Sequence, residues 1–163
     1  MISFDIKNAT ALIDSEDADF VSDYVWHLHK AGHCTYLRGY KRGQPGASRA
    51  LKYLHRLIMD APAGMDVDHI NGNGLDNRRE NLRVCTRSQN NANRHRTQSK
   101  SSPIKGVHFE KYTGRWRAEI HLNGKRHTLG RFDHIEDAAA AYAAKAAELF
   151  GDFANPSRVS AAV

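Results

Sequence analysis

Four residues stand at spacings that hydrolytic chemistry would use. Asp68 and His69 are adjacent, Asn81 follows His69 by twelve positions, and Asn90 follows Asn81 by nine. A carboxylate beside an imidazole, with an amide oxygen brought in from a helix, can hold one hard divalent cation and one base. Mg²⁺ prefers oxygen donors and keeps several waters, so two protein oxygens and a substrate phosphate suffice. A neutral histidine, with an ordinary pKa of about 6.5, can take a proton from water at physiological pH.

The elements that must position these groups can be read from the pattern around them. Leu51, Leu54, Leu57 and Ile58 make a helical stripe over Leu51 to Met59, ended by Ala61-Pro62-Ala63-Gly64. Met65 to Ile70 reads as a short strand and Asn71 to Asn81 as an Asn/Gly-rich loop. Leu82-Arg83-Val84-Cys85 alternates as a second strand, and Thr86 with Gln89 forms a capping box that predicts a helix from Arg87 to His95. Asp68 and His69 then sit on the first strand, Asn81 opens the second, and Asn90 lies in the first turn of the helix. Adjacent strand residues face opposite sides. Asp68 and His69 share a site only if the strand end twists or one of them contributes from its margin.

The stretch VDHINGNGLDNRRENLRVCTRSQNNAN, with LHRLIM upstream, resembles the HNH endonucleases of the phage and homing type. The resemblance covers about residues 51–95 and implies a ββα-metal fold. It implies that His69 is the general base, that Asp68 and Asn90 bind Mg²⁺ or Mn²⁺, and that Asn81 orients His69 and shapes the loop. Asn91 and Asn93 are close enough for a register shift to substitute for Asn90. An asparagine at the last position weakens the case for zinc, which favours nitrogen and sulfur. His55, in the L-H-R triplet, is an accessory candidate, either structural or near the phosphate.

The 163 residues carry 24 Lys and Arg against 18 acids, with mean hydropathy −0.64. No apolar run reaches the roughly 18 residues of a membrane span. The first twenty residues lack the basic start and apolar core of a secretory signal. Two cysteines, Cys34 and Cys85, exclude a disulfide framework and a four-cysteine zinc site. These features point to a reducing, intracellular setting without secretion, and the resemblance to phage and homing HNH endonucleases implies the cytoplasm of a bacterial or phage-infected cell. Residues 1–40 are net acidic, so the excess positive charge lies beyond them, densest from Arg78 to Lys100. Fifteen of the cations are arginine, which suits phosphate and guanine contacts. His27, His29, His33 and Cys34 admit a zinc site by spacing alone.

Residues 115–122, RWRAEIHL, alternate strictly, with Trp116, Ala118, Ile120 and Leu122 on one face. Asn123-Gly124 predicts a two-residue hairpin that pairs Leu122 with Lys125, Glu119 with Thr128 and Ala118 with Leu129. A strand from about Lys105 to Glu110 completes three. Asp133 and Glu136 form a capping box for a helix from Ile135 to Phe150, with Ile135, Ala139, Tyr142, Ala146 and Leu149 on its inner stripe. The open sheet face then carries Arg115, Arg117, His121 and Arg126. A β-ribbon of this kind can enter the major groove.

GVHFEKYTGRWRAEI, LGRF and EDAAAAYAAKAAELFG are similar to the plant APETALA2/ethylene-response-factor DNA-binding domain, over about residues 104–156. The likeness implies DNA contacts at Lys105, His108, Arg115, Arg117, His121, Arg126 and Thr128. His108 and Glu110 stand where plant members have Arg, and Thr128 where they have Trp, so the plant target does not transfer. Arg94, Arg96 and Lys100 read as phosphate followers.

The expected fold class is α+β: an HNH ββα-metal nuclease domain followed by a three-stranded antiparallel sheet packed on one α-helix. Residues 1–50 form a β-rich N-terminal segment of the nuclease module, 51–95 its core, 96–104 a linker and 105–157 the DNA-binding domain. The expected function is metal-dependent hydrolysis of phosphodiester bonds in double-stranded DNA by a monomer that touches no membrane. The alternative is a non-catalytic DNA-binding transcription regulator.

Overall fold

The computed structural model describes residues 1–43, 50–93 and 102–155. Arg94, Arg96 and Lys100 lie outside the described residues. The chain divides into two compact units, Met1–Thr86 and a second that begins at Arg87. Among the described residues no helix is long and apolar enough to cross a membrane.

The first unit holds a β1–β2 hairpin (Ile2–Ile6, Ala9–Ile13), a short helix α1 (Ala18–Ser22) and an antiparallel sheet of β3, β4 and β5 (Tyr24–Ala31, Cys34–Lys41, Lys52–Tyr53). Helix α2 (Leu54–Ile58) leads to the antiparallel pair β6 (Asp66–His69) and β7 (Leu82–Cys85). Ala11, Ile13, Val21, Leu37, Leu54, Ile58, Val67 and Leu82 form its core. The helix expected from Leu51 starts later. Lys52 and Tyr53 pair with Gly39 and Arg38 as an edge strand, and Leu51 stays exposed. Arg56 folds back to donate to the carbonyls of Ala61, Pro62 and Met65, which closes the turn after α2.

The loop between β6 and β7 is tied to the N-terminal hairpin. Leu12 donates its N–H to the Leu75 carbonyl, and Asn77 donates its own to the Leu12 carbonyl. The β1–β2 hairpin therefore braces the loop between β6 and β7 as well as contributing core.

The second unit begins with α3 (Arg87–Asn93) and continues through β8 (Val107–Glu110), β9 (Arg115–Leu122) and β10 (Lys125–Phe132) to α4 (Ile135–Phe150). The sheet order is β10-β9-β8, with α4 packed on one side. Asn123 (φ 50°) and Gly124 (φ 77°) take the two left-handed positions the hairpin requires. The expected pairing holds through Thr128 opposite Glu119; a bulge then puts Gly130, not Leu129, opposite Ala118. Arg131 consequently lies opposite Arg117. The buried stripe of α4 is Ala138, Tyr142, Ala146 and Phe150, rotated from the expected one. Gly106 lets this helix approach: a Cβ there would stand 2.1 Å from the Tyr142 ring. Asp133 does not cap α4; it takes Arg115 in a two-point ion pair, and His134 is the N-cap residue without a side-chain bond.

Candidate active site

Strands β6 and β7 pair Asp68 with Arg83 and His69 with Leu82. Strand alternation therefore sets His69 on the face of Val67 and Leu82, and Asp68 on the other, beside Arg83. Both residues are buried, at 5% and 6% exposure. Arg83 donates from Nε and Nη2 to Asp68 Oδ2 at 2.9 and 2.8 Å.

His69 sits among rings. Its centroid lies 5.0 Å from that of His55, nearly perpendicular, and 5.8 Å from that of Tyr36. His55 in turn stacks on Tyr53 at 5.2 Å. Burial lowers the His69 pKa, against the opposing pull of the Asn77 hydrogen bond and the Asp68 and Asp76 charges. Burial, with the charges of His69 and Arg56, lowers His55 to about 3. Both imidazoles are therefore neutral at physiological pH. Among the described residues, the His55 Nδ1 is buried without a hydrogen-bond partner.

The expected partner of His69 was Asn81, but the amide beside its ring belongs to Asn77, fully buried, with Oδ1 3.4 Å from His69 Nε2. Asn81 clasps the loop instead. Its Oδ1 accepts from the Asn71 N–H at 2.9 Å and its Nδ2 donates to the Asp76 carbonyl at 2.8 Å. Asp76 accepts from Asn71 and from Arg78 at two points, and the Arg78 hydrogen bond first of all holds its carboxyl below the ordinary range. Sequence reasoning passed over Asn77 because asparagine is ordinary in turns, and its charged neighbours Asp76 and Arg78 gave no sign of burial.

The dense basic run is partly consumed inside the unit. Arg78 pairs with Asp76 and Glu80, Arg79 with Asp17 and Glu16, and Arg83 with Asp68. The acidic N-terminal stretch thus neutralises part of the charge that the sequence assigned to a polyanion.

In the second unit, Asn90 lies on α3. Lys105 donates to the carbonyls of Asn91 and Ala92 at the end of that helix, where a cation is favoured. On the sheet face away from α4, Arg117 pairs with Glu110 at 2.8 Å and Glu119 at 3.1 Å, and Arg131 with Glu110 at 2.7 Å. The Glu119 carboxylate is buried among these cations and His108, 3.3 Å away. His121, Arg126 and Thr128 remain exposed. Arg131 was missed because the bulge, not simple alternation, brings it onto this face. Gly130 inside the strand was the available signal.

A family model described as HNH endonuclease matches residues 52–92. An uncharacterized HNH endonuclease of Acanthamoeba polyphaga mimivirus is 34% identical over 155 residues, covering 94% of this chain and 77% of the relative. The chain belongs to the HNH endonuclease family. A second relative, Protein 3.8 of Escherichia phage T7, is 30% identical over 118 residues, covering 72% of this chain and 97% of the phage protein. No solved structure matches.

An HNH endonuclease implies a divalent ion, and the donors can be tested against it. Among the described residues no group of three or more His, Cys, Asp or Glu could hold a metal. Of the soft donors, His27 stacks on Tyr40, His29 meets Tyr53 edge-on, and Cys34 donates towards the Gly72 carbonyl. A hard ion needs less, one carboxylate, one amide oxygen and its own waters. Asp68 carries a carboxylate of that chemistry and Asn90 an amide oxygen.

Proposed function

We propose that this HNH endonuclease hydrolyses phosphodiester bonds in double-stranded DNA, with His69 as general base and Asp68 and Asn90 as holders of Mg²⁺ or Mn²⁺. The observation that carries the proposal is the buried His69 imidazole, set between the Asn77 amide and the rings of His55 and Tyr36. His69 takes the proton of the attacking water as its oxygen bonds to phosphorus and the bond to the 3′ oxygen breaks. A bound divalent ion supplies charge neutralisation at the scissile phosphate and the departing oxygen. Arg83 fixes the Asp68 carboxylate, Asn77 and the neighbouring rings fix His69, and Asn81 holds the loop between the strands.

The second unit, in this reading, binds DNA through its open sheet face, as its likeness to the APETALA2/ethylene-response-factor domain suggests. His108, Arg115, Arg117, His121, Arg126, Thr128 and Arg131 are the proposed contacts; Lys105, Arg94 and Arg96 are proposed as phosphate followers. Base reading by arginine is bidentate, so Arg117 and Arg115 would exchange their carboxylate partners for DNA. The phage and viral relatives support action in the cytoplasm of an infected cell.

A plasmid cleavage assay tests the proposal. The parent with Mg²⁺ is expected to convert supercoiled DNA; His69→Ala is expected to bind DNA and leave it intact. Cleavage that survives His69→Ala, or that proceeds in EDTA, contradicts the assignment.

A further inference from the structure

The general base sits in a slot whose other wall comes from a strand distant in sequence. Tyr36, on β4, has its ring centroid 5.8 Å from that of His69 and 5.7 Å from that of His55. The three rings touch pairwise, since His55 and His69 are 5.0 Å apart. Tyr53, opposite Arg38 on the edge strand, meets both Tyr36, at 6.1 Å, and His55.

Tyr36 is also approached closely by backbone. The loop between β6 and β7 crosses the start of β4 at Gly74. A Cβ at that position would lie 2.4 Å from the Thr35 carbonyl oxygen and 2.6 Å from Tyr36 Cδ1. Only a glycine permits this approach, because real Cβ atoms do not come so near backbone oxygen. The second glycine of the NGNG segment therefore has a steric reason unrelated to turn conformation. The loop that carries Asn77 and the strand that carries Tyr36 are locked together, with His69 between Asn77 and the rings. Tyr36 meets His69 at an interplanar angle of 50° and His55 at 65°, and aromatic contacts of this kind are directional. They limit the rotation of the imidazole in a way that an aliphatic side chain of similar size does not.

We propose that Tyr36 is a positioning residue for His69, its ring held against the imidazole by the close approach of the loop at Gly74. The inference rests on the reading of His69 as base. The ring is the part of Tyr36 that meets the imidazole.

The test compares Tyr36→Phe, Tyr36→Leu and Gly74→Ala in the full chain, with single-turnover cleavage of plasmid DNA and ring resonances of His69 by NMR. Tyr36→Phe is expected to cleave like the parent. Tyr36→Leu and Gly74→Ala are expected to lose up to about 10²-fold in kcat with KM unchanged, the scale of a misplacement of about 1 Å. Their His69 resonances should broaden or double, while parent and Tyr36→Phe give one narrow set. If Tyr36→Leu does not fold, Gly74→Ala carries the same comparison. Parent-like kcat in the folded Leu or Ala variant overturns the proposal, as does a rise in KM that accounts for the loss, or a Phe variant as slow as Leu. His69→Ala that still cleaves would remove the base assignment instead, and the NMR arm would still report whether Tyr36 holds the ring.

Discussion

The two units keep their polar groups in opposite ways. In the first, His55 and His69 are buried among rings and lose their charge. In the second, arginines stay charged on an open face and are held by Glu110, Glu119 and Asp133. Desolvation costs an ionised group far more than a neutral one, so the first arrangement suits a base that must be neutral before substrate arrives. The second suits a surface that exchanges one anionic partner for another. The difference teaches that fixed chemistry is set by packing, and adaptable binding by ion pairs near water.

The comparison can be broken or sharpened by experiment. The largest effect should come from removing divalent metal. EDTA is expected to abolish cleavage and leave DNA binding intact in a gel-shift assay, with Mg²⁺ or Mn²⁺ restoring activity; equal loss of binding would place the metal in the fold. Next comes Asn77→Leu, which removes the amide beside His69. A loss of roughly 10²-fold in kcat is expected by the same positioning argument, read by single-turnover kinetics with affinity unchanged.

The proposed binding face should respond more modestly, and through affinity alone. Arg126→Ala is expected to weaken DNA binding roughly tenfold and to reduce its salt slope by about one. Glu119→Gln is expected to strengthen binding by a few-fold, since it removes a competing anion; weaker binding would mean that the carboxylate itself contacts DNA.

The smallest effect is on stability. A histidine with a lowered pKa is neutral when folded and takes up a proton on unfolding, so its stabilisation is full above the unfolded pKa and declines as pH falls. For His55 the window runs from about 6.5 down to about 3. His69, lowered in the same direction, adds to the upper part of that window. Denaturant melts between pH 6.5 and 5 should show stability falling ever more steeply, by up to about 1.4 kcal/mol per pH unit for His55 alone. His55→Phe is expected to reduce that slope, and an unchanged slope would show His55 already titrated in the folded unit.

Much of this was legible in the chain itself. The Asp68-His69 strand, the Asn/Gly loop, β7 and the start of α3 follow from alternation and turn residues. The second unit follows from RWRAEIHL, Asn123-Gly124 and the alanine-rich helix. Three things were not legible, each because it depends on distant contacts. The role of residues 1–50 lies in Leu12 pairing with the loop at 75–77 and in Tyr36 reaching His69. The fate of Arg78 and Arg79 depends on acids some sixty residues earlier or beside them in the loop. The place of Arg131 depends on a bulge that pattern alone puts one residue out of step.

The account turns on a base that is neutral because it is buried. Its most direct test is an NMR titration of the His69 ring in the folded, metal-free protein. The imidazole is expected to stay neutral through pH 7 and to take up its proton only below the ordinary histidine value of about 6.5. A ring that is already protonated at pH 7 would contradict the account.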